Sequence, residues 1–342
     1  MAHITLVLPF ALPVPEFAPD LVRALEAPAL AALLSRTSSY ERIAVNDAVR
    51  ALPHEQWLAG ALGLADGGRP ALAAAAMRGR GIAPSEGTWF IVNPAHVEIA
   101  RTHLLMADLR HLQLSEADSR ALFDAAQPSF EEAGHALAWG DAQTWYMRAD
   151  DWAGLDTATP DAAVGMDLTD WMPAGSQAAA FRRLQNEVQI LWHTHPVNAA
   201  REARRLPPVN AFWLWGAADA VRVREREPRL AAFDAAPWVK ALADEHPGDL
   251  PAFIEGLAQD TILVCGSAAA PAISADWGGW IAQMAQLEAA LFAPILHALT
   301  KNSGRVRSVS LVLSHRDVHA ACTTNALAQR KFWRRPTLDR LL

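Results

Sequence analysis

Short apolar runs recur along this chain, and they determine which fold class it can adopt. Ile4–Leu8, Thr261–Gly266 and Ser308–Ser314 are rich in β-branched residues and end at proline, glycine or polar positions. Runs of this kind are typical of strands that are buried on both faces of a parallel sheet. A helical stretch, Trp280–Leu299, separates the last two runs. Alternating buried strands and helices predict an α/β fold, with a mostly parallel sheet and helices on both faces.

The middle of the chain has a different pattern. Thr88–Asn93 reads as a strand, Ser115 is placed to cap an amphipathic helix, and Gly140-Asp141 is placed to turn a hairpin. We therefore expect residues 87–172 to form a small α+β insertion domain with its linker. Residues 1–86 and 173–342 are expected to form the core domain, with the apolar run Ala211–Trp215 as another buried strand.

Helical periodicity accounts for much of the remaining sequence. Apolar residues recur at helical spacing over Asp20–Leu34, and further helices are predicted at Glu55–Leu64 and Pro70–Met77. A longer helix beginning at Gln177 has one apolar face, and Pro196 suits the first turn of the helix that follows.

Composition limits the classes of partner and compartment. The net charge of −7 disfavours a dedicated nucleic-acid binder. No apolar stretch reaches the roughly 20 residues that span a membrane, and the start lacks the basic leader of a secretion signal. Two cysteines in so long a chain fit a reducing compartment, so we expect a cytoplasmic protein. The basic segment Lys331–Leu342 is more typical of a solvated helix or a cap on an acidic surface than of a binding arm.

The segment His195–Gly216 combines residue types that ordinary helices and strands do not need. It holds a Pro-Pro break, two asparagines, an arginine and an aromatic run that ends in glycine. One interpretation is a structural joint, in which asparagine and arginine side chains hold a turn and tryptophans fill the core. The other is a ligand-binding role for His195, Asn198, Arg201, Asn210, Trp213 and Trp215.

This segment resembles the archaeal-type cofactor-independent phosphoglycerate mutases of the alkaline phosphatase superfamily. Those enzymes have His-Pro-x-Asn, an arginine and Pro-x-Asn-x-x-Trp-x-Trp-Gly in the same order. The matching residues are His195, Pro196, Asn198, Arg201, Pro208, Asn210, Trp213, Trp215 and Gly216. Weaker collinear similarity extends over most of the chain, which also resembles the RpfE family of proteobacterial regulatory proteins. The resemblance implies an alkaline-phosphatase-like core.

The resemblance also implies phosphoryl transfer through a serine held between two divalent metals, which several Asp and His ligands must anchor. Pro9 and Phe10 stand where the family has its first Asp-Gly, and Glu55 or a neighbour replaces the nucleophilic serine. The late Asp-His pair reads Ser314-His315. Asp276 stands where the family has an aspartate followed by Gly and His, and no histidine follows it here.

The arginines that grip phosphate in the family's insertion domain are also replaced. The family's Phe-Arg-Cys-Asn reads Phe90–Asn93 here, and its Tyr-Arg falls near Tyr146, with Arg148 one or two positions away. A substrate with several negative charges would meet few compensating cations.

These substitutions predict a phosphoglycerate-mutase-like protein that has lost metal-dependent phosphoryl transfer and acts in regulation or ligand binding. No metal or other cofactor is expected, and the partner is a small anionic ligand or a regulatory protein. The alternative is an active mutase or phosphohydrolase with displaced ligands and two Mn or Zn ions. In that case His315, Asp276 and Glu55 are the candidate catalytic residues.

Overall fold

The computed structural model describes residues 1–45, 50–100, 103–225, 227–301 and 305–342. The chain forms two compact units. Unit 1 contains Met1–Asp47, Leu52–Leu58 and Glu225–Leu342, and unit 2 contains Ala48–Ala51 and Ala59–Arg224. No helix within the described ranges is both long enough and apolar enough to cross a membrane.

The strands of the described ranges, in chain order, are β1 (Ala2–Leu8), β2 (Ser39–Ala44), β3 (Ala65–Asp66), β4 (Arg69–Pro70), β5 (Thr88–Ala95), β6 (Val97–Ala100), β7 (His103–Met106), β8 (Ala136–Asp141), β9 (Thr144–Arg148), β10 (Ala211–Asp219), β11 (Arg229–Phe233), β12 (Thr261–Cys265), β13 (Val306–Ser314) and β14 (Val318–Asn325).

The α-helices are α1 (Ala18–Ala24), α2 (Pro28–Ser35), α3 (Pro53–Ala61), α4 (Ala73–Gly79), α5 (Glu116–Glu132), α6 (Pro160–Ala163), α7 (Leu168–Trp171), α8 (Ala178–His193), α9 (Pro196–Ala203), α10 (Pro237–Leu242), α11 (Leu250–Glu255), α12 (Ala269–Ile273), α13 (Trp277–Leu287), α14 (Ala293–Thr300) and α15 (Ala326–Gln329).

Unit 1 is built on a six-stranded sheet with the order β11-β12-β1-β13-β14-β2. The first four strands of that order run parallel, with Leu6 of β1 level with Leu263 on one side and Leu311 on the other. β14 and β2 continue the sheet in antiparallel pairing. The prediction of a mixed α/β fold with a mostly parallel sheet is therefore confirmed.

The core of unit 1 lies against one face of this sheet. Because successive strand residues point to opposite faces, Ile4, Leu6 and Leu8 of β1 face the same way. They belong to one apolar cluster with buried residues of α1, α2, α13 and α14. Val7, which points to the opposite face, is also fully buried.

Two of the predicted helices in unit 1 are interrupted. Asp20–Leu34 contains two helices, because Pro28 cannot continue α1 and instead begins α2. The residue before α2 is an alanine, which has no capping oxygen. The Glu288 carboxylate takes over that role, accepting hydrogen bonds from the backbone N–H groups of Ala29 and Leu30 at 2.6 and 3.1 Å. Glu288 opens a π-helical turn, Glu288–Phe292, which separates α13 from α14.

Unit 2 is an α+β structure around a four-stranded antiparallel sheet with the order β10-β5-β9-β8. Its core combines this sheet with α5 and α8. The predicted hairpin around Gly140-Asp141 is present as β8 and β9, although the strands join across residues 142–143. Ser115 caps α5 as predicted, accepting a hydrogen bond from the Asp118 N–H at 3.1 Å.

One expectation about this region needs correction. Ala211–Trp215 does form a buried strand, but β10 pairs antiparallel with β5 and is not a strand of the parallel sheet. The run is apolar because both faces of β10 are buried, a pattern that carries no information about strand direction. The expected insertion domain, residues 87–172, lies within unit 2, which also takes in residues 59–86 and 173–224, and its boundaries stay a prediction.

Candidate functional site

The segment His195–Gly216 lies entirely in unit 2, and its first part is the turn into α9. His195 is the N-cap of α9, and its Nδ1 accepts a hydrogen bond from the Val197 N–H at 3.3 Å. Asn198 is 2% exposed, and its amide nitrogen donates to the carbonyls of Trp192 and Val209, both at 2.8 Å. Its Oδ1 accepts from the Val209 N–H at 2.8 Å. Asn198 thus ties the end of α8 to the chain that leads into β10.

Arg201 is the most unusual residue of the segment, because its guanidinium is completely buried. It donates to the carbonyl oxygen of Pro207 at 2.9 Å and also to the carbonyls of Leu112 and Gln113. Burial lowers the pKa of Arg201 from its ordinary value, opposed by the charge of Asp118. The backbone carbonyls solvate this cation inside the unit, which makes its burial tolerable.

The side chains of Asn210, Trp213 and Trp215 are also bonded to the chain itself. Asn210 pairs with Val97 through both its amide oxygen and its amide nitrogen, each at 2.8 Å. The indole N–H of Trp213 donates to the Ala158 carbonyl at 2.7 Å, and that of Trp215 donates to Asn93 Oδ1 at 2.7 Å. These contacts support the interpretation of the segment as a structural joint. Ligand binding by the same six residues stays a prediction, and it would require these atoms to exchange their present partners.

A second cluster forms in unit 1 at the carboxyl ends of β1 and β13, the edge where ligands bind in open α/β sheets. Phe10, two residues after β1, is 2% exposed and has a φ of 57°. Its ring lies edge-on to the His54 imidazole, with centroids 6.0 Å apart, and to the His315 imidazole at 6.2 Å. Its carbonyl accepts a hydrogen bond from the Trp280 indole at 2.9 Å. An aromatic side chain therefore fills the space beside both histidines.

The backbone conformation at Phe10 is one that favours glycine. A positive φ is costly for a residue with a Cβ and costs glycine nothing. The phosphoglycerate mutases that the sequence resembles have glycine at this position. Phe10 thus adopts a glycine-like conformation while its side chain packs where a glycine would leave space.

The hydroxyl and imidazole groups of the cluster are bonded to each other. Ser314, the last residue of β13, is fully buried, and its Oγ lies 2.9 Å from His54 Nδ1. Glu55 is also buried, and its carboxylate accepts a hydrogen bond from the Leu52 N–H at 2.7 Å. That bond is half of a capping box at the start of α3. Glu55 therefore stabilises a helix end at the position aligned with the family's nucleophile.

His315 completes the cluster. Burial lowers the pKa of this imidazole below its ordinary value, and the charge of Arg316 acts in the same direction while that of Asp317 opposes it. The Arg316 guanidinium lies 5.9 Å from the centre of the Phe10 ring. A neutral imidazole is consequently favoured beside the aromatic ring.

Asp276, the other candidate catalytic residue, is exposed at the N-cap of α13. Its carboxylate accepts a hydrogen bond from the Gly279 N–H at 2.9 Å. Within the described ranges, the hydrogen bond of the Asp276 carboxylate thus goes to its own helix and not to His315. Trp277 and Trp280 belong to the same helix in unit 1, whereas Trp213 and Trp215 belong to unit 2.

The donor groups at the strand ends do not fit a pair of divalent cations. The Phe10 side chain offers no lone pair, and the other side chains of the cluster are two imidazoles, a hydroxyl and the Glu55 carboxylate, which caps α3. β12 ends at Cys265, whose pKa is raised to about 11 by burial, so its thiol is protonated at neutral pH. Over the described ranges, no three or more His, Cys, Asp or Glu side chains are arranged to hold a metal ion.

The arginines of unit 2 that could meet a phosphate are paired internally. Arg148 forms an exposed ion pair with Asp150 at 2.7 Å. Arg50 and Arg69 line a cleft of about 540 Å³, but Arg69 lies 3.2 Å from Asp156. Arg50 lies 4.0 Å from the other carboxylate oxygen of Asp156, and it also donates to the carbonyls of Asp170 and Met172 at 2.6 and 3.0 Å.

Sequence reasoning identified Phe10, His315 and Ser314 but missed His54. The available signal was its position: His54 immediately precedes Glu55, in the stretch aligned with the family's nucleophile. Its pairing with Ser314 joins residues 260 positions apart, which periodicity cannot reveal.

Comparisons with known proteins support the resemblance inferred from the sequence. The chain is 27% identical over 154 residues to a probable 2,3-bisphosphoglycerate-independent phosphoglycerate mutase of Geobacter sulfurreducens. This match takes in 42% of the present chain but only 35% of the relative's length. No protein-family model matches the chain.

Two solved structures align with nearly the whole chain. The PH0037 protein of Pyrococcus horikoshii superposes with a TM-score of 0.55 at 12% identity, covering 95% of this chain and 87% of that one. A cofactor-independent phosphoglycerate mutase of Thermoplasma acidophilum gives a TM-score of 0.43 at 13% identity, with 95% and 89% covered. The first of these establishes a shared fold. The sequence match confirms the likeness to phosphoglycerate mutases, whereas the likeness to the RpfE family stays a prediction.

Proposed function

We propose that this phosphoglycerate-mutase-like chain has lost metal-dependent phosphoryl transfer and acts as a regulatory or ligand-binding protein. The observation that carries the proposal is Phe10, which packs between His54 and His315 where the related enzymes need a metal-binding strand end. Two cations that stabilise attacking and leaving oxygens require several anionic and imidazole ligands around a common point. Here an aromatic ring, a buried hydroxyl and a capping carboxylate take those positions.

The regulatory part of the proposal follows from what the chain keeps. Unit 2 retains the joint at His195–Gly216, in which Asn198 and Arg201 are bonded to backbone carbonyls, and unit 1 retains its parallel sheet. A folded scaffold without the ancestral reaction is suited to bind a small anionic ligand or a regulatory protein. We propose no cofactor for it.

The test combines metal content with turnover. The purified chain is analysed for bound Mn and Zn, then assayed for interconversion of the two phosphoglycerates and for hydrolysis of a phosphomonoester panel with either metal added. A cofactor-independent phosphoglycerate mutase serves as the positive control. We expect substoichiometric metal and no turnover above the protein-free rate.

The opposite result supports the alternative of an active mutase or phosphohydrolase. Stoichiometric metal together with turnover that is abolished by both His315→Ala and Asp276→Ala would overturn the proposed loss of activity. Turnover that neither substitution affects would point to a contaminating enzyme, and repeating the assay on material from a second purification route would identify it.

A further inference from the structure

The surface around residues 330–335 combines exposed aromatic side chains with a concentration of positive charge. Phe332 is 84% exposed and Trp333 is 69% exposed, and their rings are in edge-to-face contact with centroids 5.2 Å apart. Four basic residues flank this pair in the sequence: Arg330, Lys331, Arg334 and Arg335. Two more are connected to the same part of unit 1, since Arg36 donates to the Arg334 carbonyl and Arg340 lies over the Tyr40 ring. We name Phe332, Trp333, Tyr40 and these six cations the arginine–aromatic surface.

The segment is held in place by the rest of unit 1. It is not the solvated helix expected from the sequence, since α15 ends at Gln329. Lys331 Nζ donates to the Thr37 carbonyl at 2.9 Å, and Arg36 donates to the Arg334 carbonyl at 3.3 Å. The Arg340 guanidinium lies 4.1 Å from the centre of the Tyr40 ring. Because these contacts hold the main chain on both sides of Phe332 and Trp333, less backbone has to be ordered when a partner binds.

No ion pair within the described ranges neutralises the cations of this surface. Among the described residues, none of them forms an ion pair with a carboxylate, although the chain as a whole carries a net charge of −7. Their recorded hydrogen bonds go mainly to carbonyl oxygens, which leave the positive charge in place. The surface is thus a local positive field on an acidic protein, and it attracts a partner of opposite charge.

The composition of the surface favours a protein over a lipid or a nucleic acid. Protein interfaces are enriched in Trp, Phe, Tyr and Arg and depleted in Lys, and all the cations here except Lys331 are arginines. A long nucleic acid would extend from this patch onto an acidic molecule, which would repel it.

A neighbouring edge strand adds a feature that only a peptide can use. β2 is the last strand of its sheet, and all its residues are exposed. Tyr40 of β2 is the residue against which Arg340 stacks, so the strand and the cationic patch are continuous. An extended segment can bond to an open strand edge through its main chain.

We infer that the arginine–aromatic surface is a docking site for an acidic, extended segment of a partner protein. Carboxylates of that segment pair with the arginines, and its apolar residues cover Phe332 and Trp333. The inference does not depend on the proposed loss of phosphoryl transfer, because these residues lie outside the Phe10–His54–His315 cluster.

The probe is a fluorescein-labelled peptide in which Glu-Asp pairs alternate with single Leu or Phe residues, titrated with the full chain. A second peptide, with Gln-Asn in place of Glu-Asp, tests the need for charge. We expect saturable binding of the acidic peptide alone. Phe332→Ser/Trp333→Ser and Arg334→Glu/Arg335→Glu should each weaken it by about tenfold or more, as expected for interface hot spots.

The matched control is Arg182→Glu/Arg183→Glu, which reverses an exposed arginine pair on α8 of unit 2 and should leave the affinity unchanged. Equal binding of the two peptides, or equal weakening by the control, would overturn the inference. So would tighter binding to phosphatidylserine vesicles or to an oligothymidine strand than to the acidic peptide. All the substituted side chains are exposed, so a thermal melt of each variant should coincide with that of the wild type.

Discussion

Two buried regions of this chain use polar side chains in different ways. In the His195–Gly216 joint of unit 2, Asn198 and Arg201 are buried and bond to backbone groups that would otherwise lack partners. At the strand ends of unit 1, the polar groups are few, and an aromatic ring lies between the two imidazoles. The first region carries the residues on which the resemblance to phosphoglycerate mutases rests, and the second lacks the metal ligands that this resemblance implies.

The difference separates two reasons for which a motif can be present. The joint bonds α8, α9 and the start of β10 to one another, so its side chains are needed by the architecture whether or not any reaction occurs. Metal ligands are needed only for the chemistry, and replacing them with an apolar residue removes charge that is expensive to bury. A match to an enzyme motif that consists of architectural residues therefore carries fold information and little information about activity.

The largest expected effect tests the architectural half of this comparison. Arg201→Ala leaves the carbonyls of Leu112, Gln113 and Pro207 without their donor inside unit 2. We expect the free energy of unfolding to fall by about 3 kcal/mol or more, because several buried acceptors lose a charged partner together. Denaturant titration followed by tryptophan fluorescence measures the loss.

The exposed Arg182 on α8 provides the control, since Arg182→Ala should change stability by less than about 0.5 kcal/mol. If Arg201→Ala lowers the free energy of unfolding no more than Arg182→Ala does, the joint is not structural. Ligand binding would then be the better explanation for its residues.

A somewhat smaller effect tests the strand-end half. Phe10→Ala removes a buried ring and should cost about 3 kcal/mol through the cavity it leaves. Phe10→Gly should be about 1 kcal/mol less damaging than Phe10→Ala, because glycine adopts the positive φ without strain. At positions with a negative φ, a glycine variant is usually less stable than the alanine variant. The relative stability of the two Phe10 variants therefore tests whether the backbone is strained.

Phe17, which is 41% exposed, is the matched control for loss of a phenylalanine ring. If Phe10→Ala costs no more than Phe17→Ala, the ring does not fill the strand end as described. If Phe10→Gly is less stable than Phe10→Ala, the backbone at this position is not strained.

The parts of the fold that sequence reveals are those set by local pattern. The strands at Ile4–Leu8, Thr261–Gly266 and Ser308–Ser314 and the cap at Ser115 could be predicted, because burial and capping leave periodic or positional signals. Strand direction could not. β10 is apolar on both faces within an antiparallel sheet, and the same letters would describe a parallel strand.

The candidate site shows the same limit. The replacement of metal ligands by Pro9 and Phe10 could be inferred from the likeness to known enzymes, but not where the ring would go. The pairing of His54 with Ser314 and the remote capping of α2 by Glu288 depend on contacts between distant segments. The sequence makes Glu55 a candidate catalytic residue. Its capping of α3 depends on the position of the Leu52 N–H in the folded chain, which the sequence does not give.

The smallest expected effect is the dependence of stability on the protonation of His315. It distinguishes a packed strand end from an open polar site. Burial lowers the pKa of this imidazole in the folded chain below the ordinary value of 6.5 that applies when the chain is unfolded. As the pH falls through 6.5, the unfolded chain takes up a proton that the folded chain does not. Stability should therefore decline on acidification until the pH passes below the folded-state pKa. His315→Gln should reduce this decline, measured as denaturation midpoints between about pH 7 and pH 5.

The decline should shrink without vanishing, because His319 in the same unit also has a pKa that burial lowers. His297→Gln, which removes an exposed imidazole from α14, is the matched control for the loss of a histidine side chain. An unchanged profile for His315→Gln would mean that this imidazole is protonated as readily in the folded chain as in the unfolded one. The strand end would then be a solvated site that tolerates a charged imidazole, and not a packed aromatic cluster. The contrast drawn with the joint in unit 2 would no longer hold.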